Sequence, residues 1–235
     1  MDFKEELKKL NIDASNDIMN KFDLYYNKLI EVNSYMNLTA ITEKNDVYNK
    51  HFLDSLYVSK ALDTTKKITL LDVGSGAGFP SIPLAIVNNN IDVYIIDALN
   101  KRINFLNDLV KYLGLNNVLA YHKRAEEFAK EKRESFDYVT ARAVARLNVL
   151  SELCLPLVKV GGYFIAMKSN GDEELEEANN AIKKLGGSVE DILEFNLPDM
   201  AGKRQLILIK KISNTPSKYP RDFKKIKEKP LWAIK

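Results

Sequence analysis

The sequence predicts an α/β protein with a seven-stranded, mostly parallel sheet, helices on both of its faces and a helical extension at its N-terminus. Two observations support this prediction. From residue 68 onward, short apolar runs typical of strands alternate with amphipathic runs typical of helices, a pattern that indicates a parallel sheet covered on both faces. Before residue 68, apolar residues recur only at helical spacing.

The N-terminal extension, residues 1–62, is predicted to be helical on both sides of a short polar turn. Apolar side chains recur at helical spacing at Leu7 and Leu10 and again between residues 22 and 32. The polar segment 37–42 interrupts this pattern, and a further helix is expected over 47–62.

The core, residues 63–212, is predicted to alternate between strands and helices. Gly114 and the pair Gly186-Gly187 stand where helices are expected to end. The last strand follows the sixth with no helix between them, so we expect it to form a hairpin and to lie antiparallel in the sheet. Strands are predicted near 68–73, 91–96, 117–121, 135–140, 161–167, 188–195 and 204–211, and helices near 79–88, 100–113, 124–130, 145–157 and 172–185.

A glycine-rich loop follows the first predicted strand. Gly74, Gly76 and Gly78 occupy alternating positions between an apolar strand and an apolar helix, a layout in which the backbone approaches a nucleotide-like ligand. A dinucleotide fingerprint has the spacing G-x-G-x-x-G, which differs from this one. The simplest alternative is a glycine-rich turn in an α/β domain without such a ligand.

Two acids select among the possible ligands of this loop. Asp72 lies two residues before the first glycine, where it would repel a pyrophosphate but suits a cationic amino-acid end. Asp97 ends the second predicted strand and is placed to accept hydrogen bonds from the hydroxyls of a ribose. The pattern therefore predicts S-adenosylmethionine (AdoMet) as the cofactor.

Composition excludes several classes of protein. The 235 residues, 46% of them hydrophobic, suffice for one α/β domain with a full core. Cys154 is the single cysteine, and with only His51 and His122 available we expect no disulfide and no zinc-type site. No apolar run approaches the roughly 18 residues of a membrane helix, and the first ten residues do not resemble a signal peptide. We therefore expect a cytoplasmic protein without a metal. A monomer is a separate expectation, because the residues do not determine the oligomeric state.

The C-terminal tail, residues 213–235, continues a basic region. Between Lys203 and Lys235 there are eleven lysines and arginines against two acids, although the net charge of the whole chain is only +3. Aromatic residues interleave with these charges, which suits a polyanion with stackable bases. A solvated tail is the competing interpretation. The candidate RNA-binding residues here are Lys203, Arg204, Arg221, Lys224 and Lys225, and the interleaved aromatic residues are Tyr219, Phe223 and Trp232.

A set of short motifs, in this order, resembles the RsmG (GidB) family of bacterial methyltransferases, which modify N7 of one guanosine in 16S ribosomal RNA. The resemblance covers about residues 20–222. Ser81 and Ala98 are its small departures, standing where many members have glycine and serine. The motifs are Asn37-Leu38-Thr39, His51-x-x-Asp54-Ser55-Leu56, Asp72-Val-Gly-Ser-Gly-Ala-Gly-Phe-Pro80, Asp97-x-x-Asn-Lys101-Arg102, Arg124-Ala125-Glu126, Arg142-Ala143-Val144 and Tyr219-Pro220-Arg221.

The resemblance implies a class I, Rossmann-like methyltransferase sheet, AdoMet as the cofactor, S-adenosylhomocysteine as the product, and 16S ribosomal RNA or a small-subunit particle as the partner, with the target in the decoding region. It also implies cofactor contacts at Gly74, Phe79, Ala125, Glu126 and Arg142.

The residues themselves support these positions but leave alternatives open. Glu126 is placed to accept a hydrogen bond from the adenine amino group, and the Ala125 N–H is placed to donate to a ring nitrogen. An acid at the position of Glu126 is also explained by the start of a helix, where the helix dipole stabilises it. Arg142 is the candidate catalytic residue, positioning the substrate, and a structural salt bridge is its alternative. His51 and Asp54 share a helix face, and we interpret both as structural.

A basic rim is predicted beside the cofactor. Its members are Lys101, Arg102, Lys123 and Arg124, for which solvated helix charge is the competing explanation.

The predicted chemistry needs no protein base. Guanine N7 carries a lone pair and no proton, so the enzyme has only to align the reactants and exclude water. Methylation at C5 of a pyrimidine needs a nucleophilic cysteine, whereas Cys154 lies in an apolar helical pattern. Methylation of an amino group usually shows an Asn/Asp-Pro-Pro-aromatic stretch, where this chain has Thr140-Ala-Arg-Ala. Two rivals remain: an NAD(P)-dependent oxidoreductase and a non-catalytic RNA-binding module.

Overall fold

A computed structural model describes residues 1–231 and contains the predicted seven-stranded sheet. The strand order is β3-β2-β1-β4-β5-β7-β6, and β7 is antiparallel to both of its neighbours. The antiparallel insertion of the last strand is thus confirmed. The strands are β1 Ile68–Val73, β2 Ile91–Asp97, β3 Val118–His122, β4 Phe136–Arg142, β5 Val158–Lys168, β6 Gly187–Leu197 and β7 Gly202–Lys211.

Helices cover both faces of the sheet, as the alternating pattern predicts. Gly114 and Gly186 have positive φ at the ends of two of these helices, in agreement with the prediction. The helices are α1 Phe3–Lys9, α2 Asn16–Met36, α3 Lys44–Val47, α4 Asp54–Leu56, α5 Ser81–Val87, α6 Asn100–Tyr112, α7 Ala125–Glu131, α8 Leu147–Cys154, α9 Asp172–Lys184 and α10 Phe223–Glu228.

Two predicted helices differ from those observed. The helix expected over 47–62 begins at Lys44 and changes its winding, with a π-helical turn at Tyr48–Leu53 and a 3₁₀ turn at Tyr57–Ala61. Apolar periodicity cannot distinguish these windings, because they differ by less than one residue per turn and a single turn moves side chains by only a fraction of a helix face. The helix expected over 145–157 ends at Cys154 and continues as a 3₁₀ turn, since Pro156 has no N–H for an α-helical bond.

The N-terminal extension packs directly against the glycine loop. Phe22, Tyr25 and Phe52 are fully buried in one apolar cluster with Phe79. The Tyr25 hydroxyl donates a 2.6 Å hydrogen bond to the carbonyl oxygen of Ala77, inside the loop. The extension therefore shapes the loop as well as covering the sheet.

The chain after β7 is packed against the core as far as it is described. Arg133 donates hydrogen bonds to the carbonyl oxygens of Thr215 and Tyr219, and Ile226 of α10 is fully buried. Over residues 213–231 the chain is thus held by specific contacts. Trp232, one of the interleaved aromatic residues of the predicted tail, lies outside the described residues.

None of the helices in the described part of the chain has both the length and the apolar character needed to cross a membrane.

Candidate functional site

The carboxyl ends of β1 to β4 meet at one edge of the sheet and border two cavities. The first, which we call the edge cavity, has a volume of about 180 Å³. The second, the arginine cavity, has a volume of about 440 Å³. The segment that leaves β4 lies between them, because Ala143 lines the arginine cavity and Val144 lines the edge cavity.

The glycine loop follows β1, and its first glycine, Gly74, lines the edge cavity. Gly74, Gly76 and Gly78 all have positive φ, between 62° and 103°. At Gly78 a β-carbon would lie 2.8 Å from the Tyr25 hydroxyl and 2.7 Å from Ile82, so any side chain there would clash with the extension. The glycine pattern is therefore explained partly by a turn and partly by the close approach of α2.

Asp72 lies beneath this loop and is fully buried. Its Oδ2 accepts a 2.6 Å hydrogen bond from the Ser81 hydroxyl, whereas Oδ1 has no hydrogen-bond partner among residues 1–231. Burial raises the pKa of Asp72 to about 7, while the hydroxyls of Ser81 and Ser75 act in the opposite direction. Ser81, a departure from the family pattern, thus holds the acid that precedes the first glycine.

Asp97 ends β2 on the wall of the edge cavity and is 3% exposed. Its Oδ1 accepts from the Leu99 N–H at 2.8 Å, and its Oδ2 accepts from the Gly76 N–H and from Arg102, both at 3.2 Å. A carboxylate offers about four lone-pair sites, so Oδ1 retains one, and displacement of Arg102 would free a second on Oδ2. Two hydroxyls can therefore be accommodated.

Ala125 and Glu126 begin α7 and line the same cavity, together with Lys123 and Arg124. Glu126 is buried, and its position in the first turn of α7 also suits the helix dipole. Lys123 is paired with Glu131 at 2.6 Å, across the surface of α7. The third strand thus brings Ala125 and Glu126, the residues predicted to contact adenine, to the sheet edge where Asp97 and the glycine loop lie.

Arg142 ends β4 and is held on three sides at the arginine cavity. Its guanidinium donates to Asp54 Oδ2 at 3.0 Å and to the Lys50 carbonyl oxygen at 3.3 Å. It also contacts His51 Nδ1 at 3.1 Å and lies 5.0 Å from the centre of the Phe79 ring. The interpretation of His51 and Asp54 as structural residues stays a prediction, and the structure places both on the wall of this cavity.

Both ring nitrogens of His51 are engaged. Nδ1 lies 3.1 Å from the guanidinium of Arg142, which can only donate, and 3.0 Å from the carbonyl oxygen of Lys50, which can only accept. Nε2 lies 2.8 Å from the Thr39 hydroxyl. Burial, reinforced by the charge of Arg142, lowers the pKa of His51 to about 4. His51 is therefore neutral near pH 7, and neither nitrogen is free to accept a proton from a substrate.

Asp54 connects two arginines from distant parts of the chain. Arg204 of β7 lies with its Nε 3.3 Å from Oδ1, close enough for an ion pair but outside hydrogen-bond geometry. Burial raises the pKa of Asp54, whereas Arg142 and Arg204 lower it. The Asp54 carboxylate thus holds the guanidinium groups of Arg142 and Arg204 at the cavity. The sequence around Asp54 does not indicate this role.

The outer wall of the arginine cavity contains residues that sequence reasoning missed. Lys168, at the end of β5, donates to Glu174 Oε2 at 2.7 Å and to the Ala145 carbonyl oxygen at 2.9 Å. Ser169 and Asn170 follow Lys168, line the cavity and are exposed to solvent. The only sequence signal for these residues is that they follow a parallel strand, which places them at the carboxyl edge of the sheet.

The remaining RNA-binding candidates differ in their solvent exposure and in their pairing with acids. Lys101, Lys224 and Lys225 are exposed, and Lys224 lies 3.9 Å from Glu228. Lys203 is paired with Glu194 at 2.7 Å. Arg221 makes three hydrogen bonds, through its backbone N–H and guanidinium, with Glu152, a carboxylate that is fully buried. Arg221 is therefore part of the packing of the chain, and RNA contact at this residue remains a prediction.

Comparison with known sequences identifies one family. A family model described as rRNA small subunit methyltransferase G matches residues 18–207. The curated ribosomal RNA small subunit methyltransferase G of Staphylococcus saprophyticus is 56% identical over 219 residues, covering 92% of each chain. The protein of the same name from Staphylococcus carnosus is 53% identical over 221 residues with the same coverage.

Comparison with solved structures supports the fold. A SAM-dependent O-methyltransferase from Thermotoga maritima matches with a TM-score of 0.55 at 18% identity, over 80% of this chain and 73% of that one. TYW2 of M. jannaschii, solved in complex with AdoMet, matches with a TM-score of 0.51 at 18% identity, over 66% and 74%. The sheet is therefore that of the Rossmann-like methyltransferases.

Proposed function

The chain belongs to the rRNA small subunit methyltransferase G family, and on that premise we propose that it transfers the methyl group of AdoMet to N7 of one guanine in the decoding region of 16S ribosomal RNA. The observation that carries this proposal is the pair of adjacent cavities at one sheet edge. One has the residues of a nucleoside site, and the other is lined by arginines and, among the described residues, contains no free base.

The residues at the edge cavity fit AdoMet. Asp97 has the free acceptor capacity for ribose hydroxyls, and Glu126 offers a carboxylate for the adenine amino group. Gly74 brings bare backbone to this cavity. Asp72 is fully buried and keeps one carboxylate oxygen without a partner among the described residues, and we assign that oxygen to the cationic amino-acid end. When bound, AdoMet supplies an electrophilic methyl group on a sulfonium sulfur.

The arginine cavity suits a guanosine whose N7 must stay free. An arginine that paired with both O6 and N7 would occupy the attacking lone pair, although that pairing is the commonest contact to guanine. We therefore expect Arg142 to meet O6 or a phosphate, its orientation fixed by Asp54 and Phe79. Its role is to position the substrate.

His51, Asp54 and Glu174, the candidate bases that line this cavity, are all engaged, which agrees with N7 as the nucleophile. His51 is neutral with both nitrogens engaged, and Asp54 is paired with two arginines. Cys154 is fully buried, and burial raises the pKa of its thiol, so it does not suit the C5 methylation of a pyrimidine. Alignment and the exclusion of water are what the site has to provide.

One experiment tests the proposal directly. Purified protein and labelled AdoMet are incubated with small ribosomal subunits that lack the modification, and the methylated nucleotide is then mapped. A 7-methylguanosine in 16S ribosomal RNA is the expected result. Label at another base or another guanine atom would overturn the assignment, and AdoMet binding without transfer would favour the non-catalytic module.

A further inference from the structure

The edge cavity has one wall that comes from the C-terminal segment. Phe223, the first residue of α10, lines this cavity beside Leu153 of α8. The rest of the lining belongs to the carboxyl ends of the strands and the loops that follow them. Neither the glycine motif nor the strand-end acids point to a residue so far along the chain.

Phe223 is held in place from both sides. Two residues before it, Arg221 binds the buried carboxylate of Glu152, which is the neighbour of Leu153 on α8. Three residues after it, Ile226 is fully buried against the core. The position of the Phe223 ring therefore follows from two anchors that themselves contact α8 and the core.

The composition of the cavity indicates what this ring meets. Its lining combines the apolar residues Ile96, Leu153 and Phe223 with the acids Asp97 and Glu126. An apolar lining together with hydrogen-bond acceptors suits a flat heterocycle that carries an amino group and a ribose. At about 180 Å³ the cavity is smaller than sites for whole drug-sized ligands, so it suits one end of AdoMet.

We propose that Phe223 is a cofactor-binding residue whose ring contacts the adenine base, so that the C-terminal segment 219–228 forms part of the AdoMet site. This inference rests on the proposed function. The same short helix exposes Lys224, Lys225 and Lys227 on its outer side. One segment therefore contacts the cofactor on its inner side and offers positive charge to RNA on its outer side.

Calorimetric titration with S-adenosylhomocysteine tests the contact. Phe223→Ala should weaken binding roughly ten- to hundredfold, the range found for aromatic contacts with a base. Phe223→Leu, which keeps an apolar side chain for the packing of α10, should lie between the alanine variant and the parent. Lys225→Ala, on the exposed side of the same helix, should change affinity less than twofold.

Adenosine, measured by competition, separates a base contact from a general disturbance. Phe223→Ala should weaken the binding of adenosine and the binding of S-adenosylhomocysteine by the same factor. Unchanged affinity of Phe223→Ala and Phe223→Leu for S-adenosylhomocysteine, or a loss that adenosine does not share, would overturn the inference while the proposed function stands. Failure of the parent protein to bind S-adenosylhomocysteine would overturn the proposed function itself.

Discussion

Replacing Asp72 with asparagine should stabilise the cofactor-free protein at alkaline pH. The carboxyl has a pKa of about 7 in the fold against an ordinary value of 3.8, a rise of about three units. At about 1.36 kcal/mol per unit, the ionised form costs on the order of 4 kcal/mol of folding stability. Because the folded pKa is the higher one, this cost is absent below pH 4, grows between pH 4 and 7, and is complete above 7.

Urea unfolding of the parent and Asp72→Asn, without cofactor, measures this cost. The variant should be more stable at pH 8, and its advantage should shrink by roughly 3 kcal/mol on moving to pH 5. The amide oxygen of the new side chain can still accept from the Ser81 hydroxyl, so the packing is conserved. Asp108→Asn, a change at an exposed acid on α6, is the matched control and should show no such pH dependence. A stability difference between parent and Asp72→Asn that is the same at both pH values would refute the reasoning.

The same variant should bind AdoMet more weakly, since the ionised acid is retained for a cationic ligand end. Affinity of the parent should rise as the pH increases through about 7, the pKa of Asp72. The affinity of Asp72→Asn should be nearly flat over that range, and isothermal calorimetry at pH 6 and 8 makes the comparison. A parent affinity that does not change between these pH values would show that the ionisation of Asp72 is not coupled to the cofactor.

Three further hypotheses concern the cofactor, the chemistry and RNA, and a fourth concerns the fold. Asp97→Ala should weaken AdoMet binding by about one to two decades in calorimetry, since charge-assisted hydrogen bonds contribute roughly 1.5–3 kcal/mol. Unchanged affinity would show that Asp97 is not part of the cofactor site. The single-turnover rate should be nearly flat between neutral and moderately alkaline pH, and a log-linear rise with chemistry limiting would reveal a base. Glutamine at Lys224, Lys225, Lys227 and Lys229 should lower the affinity for ribosomal RNA and reduce its log–log salt slope by about 0.7–0.9 per lost phosphate contact, with AdoMet binding intact. An unchanged slope would remove these four lysines from the RNA-binding surface and leave the rim at Lys101, Arg102, Lys123 and Arg124 as the next candidate. Arg221→Ala should destabilise the fold by about 3–5 kcal/mol in urea titration, because it removes the guanidinium that pairs with the buried Glu152 and leaves that carboxylate only the backbone N–H of residue 221. A loss confined to RNA binding would contradict this structural role.

The sequence determined those features that follow from local order along the chain. Alternating strand and helix patterns imply a parallel sheet, and the carboxyl ends of parallel strands meet at one edge. That rule is sufficient to place Asp97, Ala125 and Arg142 at one edge of the sheet, because each follows or ends a strand. It is also sufficient to expect the antiparallel last strand, since no helix separates β6 from β7.

Only the tertiary structure decided which side chains pair across long separations. Asp54 binds Arg142, 88 residues away, and also contacts Arg204 on β7, while Arg221 pairs with Glu152 over 69 residues. Such pairs depend on how the extension and the tail dock on the sheet. Docking is determined by packing over whole faces, so a motif of a few residues does not reveal it. The wall that Phe223 contributes to the edge cavity has the same origin, since a basic, aromatic tail looks alike in sequence whether it is solvated or packed against α8.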